Sequence, residues 1–447
     1  MDTTTTTTWT PPVYNTSKPP ALAHTTSLSP DDKFPHNFAR TVKWCPDGSV
    51  ALAQCENRSF QYLDLPPELV DLTLSQTTEA PLFTPPKSRT IPQAGPILDF
   101  VWYPRATPHD PASFCFVASV RESPVRLLDA SDGRLRASYK IVDHRERQIA
   151  PHSLAFNNTA QKLYCGFEGA IEVFDLTCPG EGTRLLTTPS RKSRDGLKGL
   201  ISALTFCPSY DPSYSLFAAG SLNRSSSTSS NIALFSEDTG EKPVGWIGDV
   251  QASVMQLAFN PMKPHILYGS FRRRDEIYSW DIRGNTMIPI QIFRRNSIQG
   301  RLDSNQKLRF DIDICGNWMA VGDHNGDISV FNLQDGASEA VPAEDEYESE
   351  KVPTLKFHAH DDAVGSVAFH PLRPLLLSGS GSRHFSLGDD DEDPSERRDV
   401  LHDSNPSSGE DSDASGDEGR KDIFVKRRLR RPEPHVQDSS VELWDFQ

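Results

Sequence analysis

The most informative signal for the architecture of this chain is the segment VELWDFQ (Val441–Gln447). Apolar and polar residues alternate along it, which is typical of a β-strand with one buried face. A strand that runs into Trp-Asp is typical of the third strand in a blade of a WD-repeat propeller. A long acidic, Ser-rich segment precedes the stretch, so the other strands of its blade must lie further upstream.

Three strand-like runs recur upstream in a constant order. The first run of each cycle is apolar and carries an aromatic residue near its end, the second is rich in small residues, and the third follows a turn. Seven cycles are present, and their first runs are TVKWCPDG (41–48), ILDFVWYP (97–104), HSLAFNN (152–158), ISALTFCP (201–208), VMQLAFNP (254–261), FDIDICG (310–316) and VGSVAFHP (364–371). This repetition predicts an all-β, seven-bladed WD-repeat β-propeller.

The count assigns VELWDFQ to the third strand of the seventh blade and makes the acidic segment an insertion in that blade. We expect a disordered leader over residues 1–20 and a propeller over residues 21–447 that includes a disordered acidic and basic insertion over residues 386–438. A propeller closes when its last blade takes its outer strand from the other end of the chain. We expect Ala21–Leu28 to be that strand.

The seventh blade also carries residues of the hydrogen-bond network that is typical of WD repeats. His360 precedes its first strand, Ser378 lies in its second and Trp444 in its third. We predict a structural role for these three residues, because such buried networks hold a blade in one geometry. The Asp that completes the network in WD repeats is not identifiable, so we expect an incomplete network.

The formal net charge of −15 argues, taken alone, against a nucleic-acid binder, because phosphate binding relies on Lys and Arg. The charge is unevenly distributed, however. Gly388–Gly419 carries a net charge of −11, and Arg420–Arg431 carries +6. The propeller is therefore only mildly acidic, and its basic residues are clustered in particular loops.

Three basic loops are predicted to share one face: Phe271–Glu276 within blade 5, Arg294–Lys307 between blades 5 and 6, and Arg191–Lys198 between blades 3 and 4. Loops between second and third strands, and loops between consecutive blades, leave the same face, which we call the top face. The acidic connection Ala337–Lys351, between the third and fourth strands of blade 6, is expected on the opposite face. Basic loops can simply be solvated, or they can capture phosphate. The candidate phosphate contacts, which become the predicted RNA contacts if the resemblance described below holds, are Arg272, Arg273, Arg274, Arg294, Arg295, Arg301, Lys307, Arg191, Lys192 and Arg194.

Aromatic residues beside these arginines are a second kind of candidate. Phe271 and Phe293 lie at strand ends and are candidate stacking platforms for bases. His144 and Arg145, in another top loop, are weaker candidates.

The sequence resembles the telomerase Cajal body WD-repeat family over roughly residues 34–385, and the composition suggests a fungal relative. The resemblance is carried by NFARTVKWCPDGS (Asn37–Ser49), DLPPEL (Asp64–Leu69), DFVWYP (Asp99–Pro104), VASVRESPVRLLDASDGRLRASY (Val117–Tyr139), APHSLAFN (Ala150–Asn157), LYCGF (Leu163–Phe167), SWDIR (Ser279–Arg283) and RFDIDICG (Arg309–Gly316). The resemblance implies a nuclear scaffold that binds small RNAs of the H/ACA or Cajal-body class, which include telomerase RNA in animals, and their ribonucleoprotein proteins, and that acts by localisation and assembly. We expect the chain to be a monomer. A protein-only platform for spliceosome or small ribonucleoprotein assembly is the alternative. The Thr-rich leader and the long insertion depart from the family and leave the identity of the RNA open.

The insertion carries two further signals. KRRLRR, made of Lys426, Arg427, Arg428, Leu429, Arg430 and Arg431, predicts nuclear import, with RNA contact or a solvated charge run as alternatives, and a cytoplasmic pool stays open. Ser408 and Ser415 each have an acidic residue three positions on, a spacing that acidophilic kinases prefer. We hypothesise that the acidic part competes with RNA for the basic loops.

Neither an enzyme nor a membrane protein is expected. The sequence has no nucleophile elbow, P-loop, dinucleotide-binding glycine motif or His pair at metal spacing, so no catalytic residue, metal or cofactor is predicted. It also lacks an apolar run long enough to cross a membrane.

Overall fold

The structure is a computed structural model, and it describes residues 10–70, 90–188, 196–209, 215–222, 230–238, 242–248, 252–295, 306–334, 349–385 and 434–447. In these ranges the chain forms β-strands and one helix of four residues, α1 (Pro67–Val70). Within the same ranges there is no helix with the length and apolar character needed to span a membrane.

Seven sheets follow one another around the molecule as the predicted blades. Blade 1 contains β2 (Ala39–Trp44), β3 (Ala51–Cys55), β4 (Ser59–Tyr62) and β5 (Thr90–Pro92). Blade 2 contains β6 (Ile97–Trp102), β7 (Cys115–Val120), β8 (Val125–Asp129) and β9 (Leu135–Tyr139). Blade 3 contains β10 (Ser153–Phe156), β11 (Lys162–Phe167), β12 (Ala170–Asp175) and β13 (Thr183–Leu186). In each blade the strands are antiparallel neighbours in sequence order, so each blade is a simple meander.

Blades 4 to 6 repeat this order with one addition. Blade 4 contains β14 (Ile201–Phe206), β15 (Leu216–Ser221), β16 (Ile232–Ser236) and β17 (Pro243–Ile247). Blade 5 contains β18 (Val254–Phe259), β19 (Ile266–Phe271), β20 (Glu276–Asp281) and β21 (Gln291–Arg294). Blade 6 contains β22 (Phe310–Ile312), β23 (Trp318–Gly322), β24 (Asp327–Asn332) and β26 (Leu355–His358). The addition is β25 (Ser349–Lys351), which comes from the connection inside blade 6 but pairs in parallel with β21 of blade 5.

Blade 7 joins the two ends of the chain. It contains β27 (Val364–Phe369), β28 (Leu375–Ser380), β31 (Val441–Asp445) and, as its outer strand, β1 (Ala21–Thr26). The register pairs Ala21 with Asp445 and Thr26 with Val441. VELWDFQ thus forms the third strand of the seventh blade, and the predicted closure by the N-terminal strand is confirmed.

The hydrophobic core is divided among the gaps between blades. Seven clusters of buried side chains occur in the described residues, and each combines residues of two adjacent blades. Between blades 1 and 2, for example, Phe60 contacts Phe100 and Phe116 with ring centroids 5.2 and 4.9 Å apart. Each blade therefore depends on its neighbours for apolar burial, which is the largest favourable contribution to folding.

Two predicted boundaries need correction. Residues 10–20 of the predicted leader contact blade 7, since the Tyr14 ring packs against Phe369 and Phe446 at 5.1 and 5.7 Å. Near the other end, residues 436–438 of the predicted insertion group with the propeller, while residues 383–435 form a separate unit. The described part of that unit is a short ladder of β29 (His384–Phe385) and β30 (Pro434–His435).

Candidate nucleic-acid interface

The turn between β19 and β20 places three consecutive arginines on the top face. Arg272 is exposed, while Arg273 and Arg274 are half-buried. Arg273 adopts a left-handed backbone conformation with φ of 60°, which tightens the turn. Arg274 Nη1 donates a hydrogen bond of 3.3 Å to Tyr278 Oη, and this contact anchors one end of the cluster. The turn thus presents three positive charges within a few residues.

Arg295 does not meet the expectation of a solvent-facing contact. Its side chain is 4% exposed and its Nε lies 2.8 Å from Asp275 Oδ1. The guanidinium also donates hydrogen bonds of 2.9 Å to the carbonyl oxygens of Gly322 and Arg274. Burial lowers the pKa of Arg295, against the raising effect of Asp275. Arg295 therefore joins blades 5 and 6, and its donors are used within the chain.

Arg294 is held between two carboxylates. Its Nη1 lies 3.1 Å from Glu276 Oε1, and its Nη2 lies 2.9 Å from Glu350 Oε1. Glu350 belongs to β25, the end of the acidic connection that was expected on the opposite face. That expectation is wrong for residues 349–351, because β25 runs along the outer edge of blade 5. Arg294 is therefore a largely compensated charge.

The aromatic candidates are not available as stacking platforms. Phe271 and Phe293 both have 0% relative exposure. Phe271 belongs to the core between blades 4 and 5, and Phe293 to the core between blades 5 and 6. The prediction for these two rings is wrong because inter-blade packing covers them. His144 and Arg145 lie exposed in the turn between blades 2 and 3.

Lys307 does not lie with the arginines at the rim of blade 5. It is half-buried, three residues before the first strand of blade 6, where the inner strands surround the axis of the propeller. Several predicted residues fall outside the described ranges: Arg191, Lys192, Arg194, Arg301, Ser408, Ser415, Lys426, Arg427, Arg428, Arg430 and Arg431.

The structure brings together the three network residues of blade 7 and adds the missing acid. His360 Nδ1 lies 3.1 Å from Asp438 Oδ2, and its Nε2 lies 2.7 Å from Ser378 Oγ. Trp444 Nε1 donates a hydrogen bond of 2.9 Å to the same Ser378 oxygen. Although burial raises the pKa of Asp438, hydrogen bonds with His360 and Ser440 hold it well below its usual range.

The expectation of an incomplete network is therefore wrong. Asp438 stands three residues before β31, in the pattern Asp-x-x-Val-x-Leu-Trp-Asp. The spacing from Asp438 to the Trp-Asp pair was a usable signal, which the acidic surroundings of the insertion obscured. In the described part of the chain, no group of three His, Cys, Asp or Glu residues is arranged to hold a metal ion.

Comparison with known proteins finds relatives that share most of the length of this chain. No protein-family model matches the chain. Telomerase Cajal body protein 1 of Rattus norvegicus and of Homo sapiens are each 30% identical to it over 351 residues, which are 78% of this chain and 60% and 58% of those proteins. The chain thus spans about three fifths of the length of these relatives. Guanine nucleotide-binding protein negative regulator 1 of Schizosaccharomyces pombe is 27% identical over 287 residues, 62% of this chain and 67% of that protein. Over 78% of its length, the chain is therefore homologous to telomerase Cajal body protein 1, and its fold is the WD-repeat β-propeller.

Proposed function

We propose that the chain is a non-catalytic nuclear scaffold that binds small RNA of the H/ACA or Cajal-body class through its top face and thereby localises or assembles the ribonucleoprotein. The observation that carries this proposal is the exposed arginine turn between β19 and β20. The Arg272 side chain makes no hydrogen bond or ion pair with any residue that the structure describes. An exposed guanidinium group on a tight turn can donate two parallel hydrogen bonds to a phosphate group.

The names of the relatives support the choice of partner. Both mammalian proteins are named for telomerase and for the Cajal body. We extend these associations to this chain as a proposal, with nuclear import through KRRLRR and with ribonucleoprotein proteins as further partners. A monomer is proposed as the working form.

The net charge of −15 is compatible with this proposal. Most of the acidic excess lies in Gly388–Gly419, which carries a net charge of −11. Charges separated by more than about 8–10 Å of solution at physiological salt are largely screened. A local basic surface can therefore attract phosphate on a chain that is acidic overall.

The experiment compares two triple variants of the full chain that lose the same charge. Arg272→Gln, Arg273→Gln and Arg274→Gln alter the top turn, while Arg105→Gln, Lys242→Gln and Lys263→Gln alter connections on the opposite face. We expect the first triple to weaken binding to an H/ACA-type small RNA about 10- to 100-fold and to reduce the salt slope by roughly 2, since each lost contact to single-stranded RNA removes about 0.7. Fluorescence anisotropy at several salt concentrations measures both quantities.

Two results would contradict the proposal. Equal losses in the two triples would show that only total charge matters and that the turn is not an interface. Absence of binding by the parent chain, together with no RNA recovered after crosslinking in cells, would favour the alternative of a protein-only assembly platform.

A further inference from the structure

The axis of the propeller contains a cavity of about 380 Å³ that is lined by residues of all seven blades. This volume is within the range of small-molecule pockets, about 300–1,000 Å³. Most polar side chains of its wall connect neighbouring inner strands; Ser202 Oγ, for example, donates to Val254 O at 2.6 Å. The wall is therefore rigid, and its chemistry depends on the charged side chains that project from it.

One carboxylate organises the upper part of this cavity. Asp99 Oδ1 lies 3.8 Å from Lys43 Nζ and 3.5 Å from Arg309 Nη2, and Asp99 Oδ2 accepts a hydrogen bond of 3.0 Å from the Leu154 amide. These partners come from blades 1, 6 and 3, while Asp99 itself belongs to blade 2. Arg309 thus reaches across the axis. Two cations share one acidic partner here.

Further cations lie around the opening on the top face, which we call the channel mouth. We define it by Arg40, Arg121, Arg272, Lys307 and Arg309, which come from blades 1, 2, 5 and 6 at the top ends of their strands. The backbone places two of them side by side, since the carbonyl oxygens of Arg40 and Lys307 lie 3.7 and 3.9 Å from the position of a Cβ on Gly365.

Burial and, after it, neighbouring positive charges lower the pKa of two side chains at the channel mouth. Burial, followed by the charge of Arg309 and then by Arg40 and Arg272, lowers the pKa of Lys307 to about 8, against the opposing effect of Asp99. Burial, followed by the charges of Lys307 and Arg121, lowers the pKa of His152 to about 4.

The acids of this region leave most of that charge uncompensated. Arg40 pairs with Glu56, and Arg309 shares Asp99 with Lys43. Deeper in the cavity, burial raises the pKa of Asp311 to about 7, so this carboxyl is only partly ionised near neutral pH. The structure records no hydrogen bond or ion pair between the side chains of Arg121, Arg272 or Lys307 and any described residue. Like charges gathered in a partly desolvated opening cost free energy, which a bound anion would offset.

We propose that the channel mouth is a phosphate-binding site that takes a backbone phosphate of a single-stranded RNA segment. The inference rests on the proposed function and extends it, because Arg272 belongs both to the channel mouth and to the arginine turn of blade 5. The two together form one basic track from the rim to the axis. Single-stranded segments are the parts of RNA that can follow such a concave track with their bases unstacked.

The test uses the full chain with Lys307→Gln and Arg121→Gln, whose side chains make no hydrogen bond or ion pair with a described residue. The control carries Lys263→Gln and Arg105→Gln on the opposite face. The probe is a ten-nucleotide single-stranded uridine RNA, followed by fluorescence anisotropy. We expect the mouth variant to bind about 10-fold more weakly and to lose roughly 1.4 from the salt slope, while the control binds as the parent does. Pyrophosphate should raise the melting temperature of the parent and control but not that of the mouth variant.

The outcomes separate this inference from the proposed function. If the mouth variant binds RNA as the parent does while the Arg272, Arg273 and Arg274 triple does not, the RNA contacts end at the arginine turn and do not extend to Lys307 and Arg121. The channel-mouth inference is then wrong, and the proposed function stands. If the parent binds no RNA but pyrophosphate still stabilises it through Lys307 and Arg121, the site takes a free polyphosphate, and both the RNA inference and the proposed function are wrong.

Discussion

The imidazole of His360 connects residues that are distant in the sequence. A carboxylate can only accept, so His360 Nδ1 donates to Asp438, and its Nε2 accepts the Ser378 hydroxyl, which in turn accepts from Trp444 Nε1. The chain of donors runs from Trp444 to Asp438 without a gap. This hydrogen-bond network connects His360, which precedes β27, and Asp438, which precedes β31, to Ser378 in β28. It therefore joins residues from both sides of the long insertion.

This arrangement predicts a measurable cost for removing the acid. Asp438→Ala should lower the free energy of unfolding by about 1–3 kcal/mol, because the buried His360 ring loses a charged hydrogen-bond partner. Asp361→Ala is the matched control, since the Asp361 side chain is 92% exposed in the same region, and it should change stability by less than about 0.5 kcal/mol. Unfolding in guanidinium chloride measures both, and equal losses would show that the Asp438 contact carries no stability.

At the scale of the element, β1 decides whether the ring is closed. It covers the outer edge of β31, and its buried Thr26 donates to the Asp64 carbonyl of blade 1. Without β1, the backbone groups along β31 would be an open edge of the kind that pairs with other chains. Closure therefore protects the last blade from aggregation as well as stabilising it.

Deletion of Ala21–Thr26 should produce a chain that aggregates or melts at least about 10 °C lower than the parent, because blade 7 loses its fourth strand. Leu22→Ser is the control, since Leu22 is 51% exposed and its side chain contributes little burial. Size-exclusion chromatography and thermal melting by circular dichroism give the answer. A deleted chain that stays monomeric with an unchanged melting temperature would contradict the role of β1 in closure.

For the whole molecule, the separation of charge is the feature with the widest effect. The insertion connects β28 to β31, the second and third strands of blade 7, so the chain leaves and rejoins the propeller at its top face. A segment with a net charge of −11 is attached between two points of the face that carries the proposed phosphate ligands. Its acidic groups compete with RNA in our hypothesis, and phosphate on Ser408 and Ser415 would strengthen that competition.

Replacement of Asp389–Gly419 by a neutral Gly/Ser linker of equal length should tighten RNA binding roughly 3- to 10-fold at low salt and much less at high salt, because screening removes the competition. A linker that keeps the acidic residues in scrambled order is the control and should bind as the parent does. If the neutral linker leaves RNA affinity unchanged in both the phosphorylated and the unphosphorylated protein, the insertion does not regulate the top face.

The three-strand cycle, its order and the count of seven blades could be predicted from the amino-acid sequence, because alternation and turn residues act over a few neighbouring positions and the repeat makes each blade predictable from the others. The same count led to the closing strand. Which charged side chains face solvent could not be predicted from the sequence and is known only from the folded structure. Arg272 and Arg295 look alike in the sequence, yet Asp275 and the carbonyls of the adjacent blade bury one of them. Asp438 likewise does not stand out from the neighbouring acidic residues in the sequence, and only its hydrogen bond with His360 distinguishes it. The residues of the channel mouth come from four different blades. Burial and ion pairing depend on residues far apart in the chain, and folding alone brings those residues together.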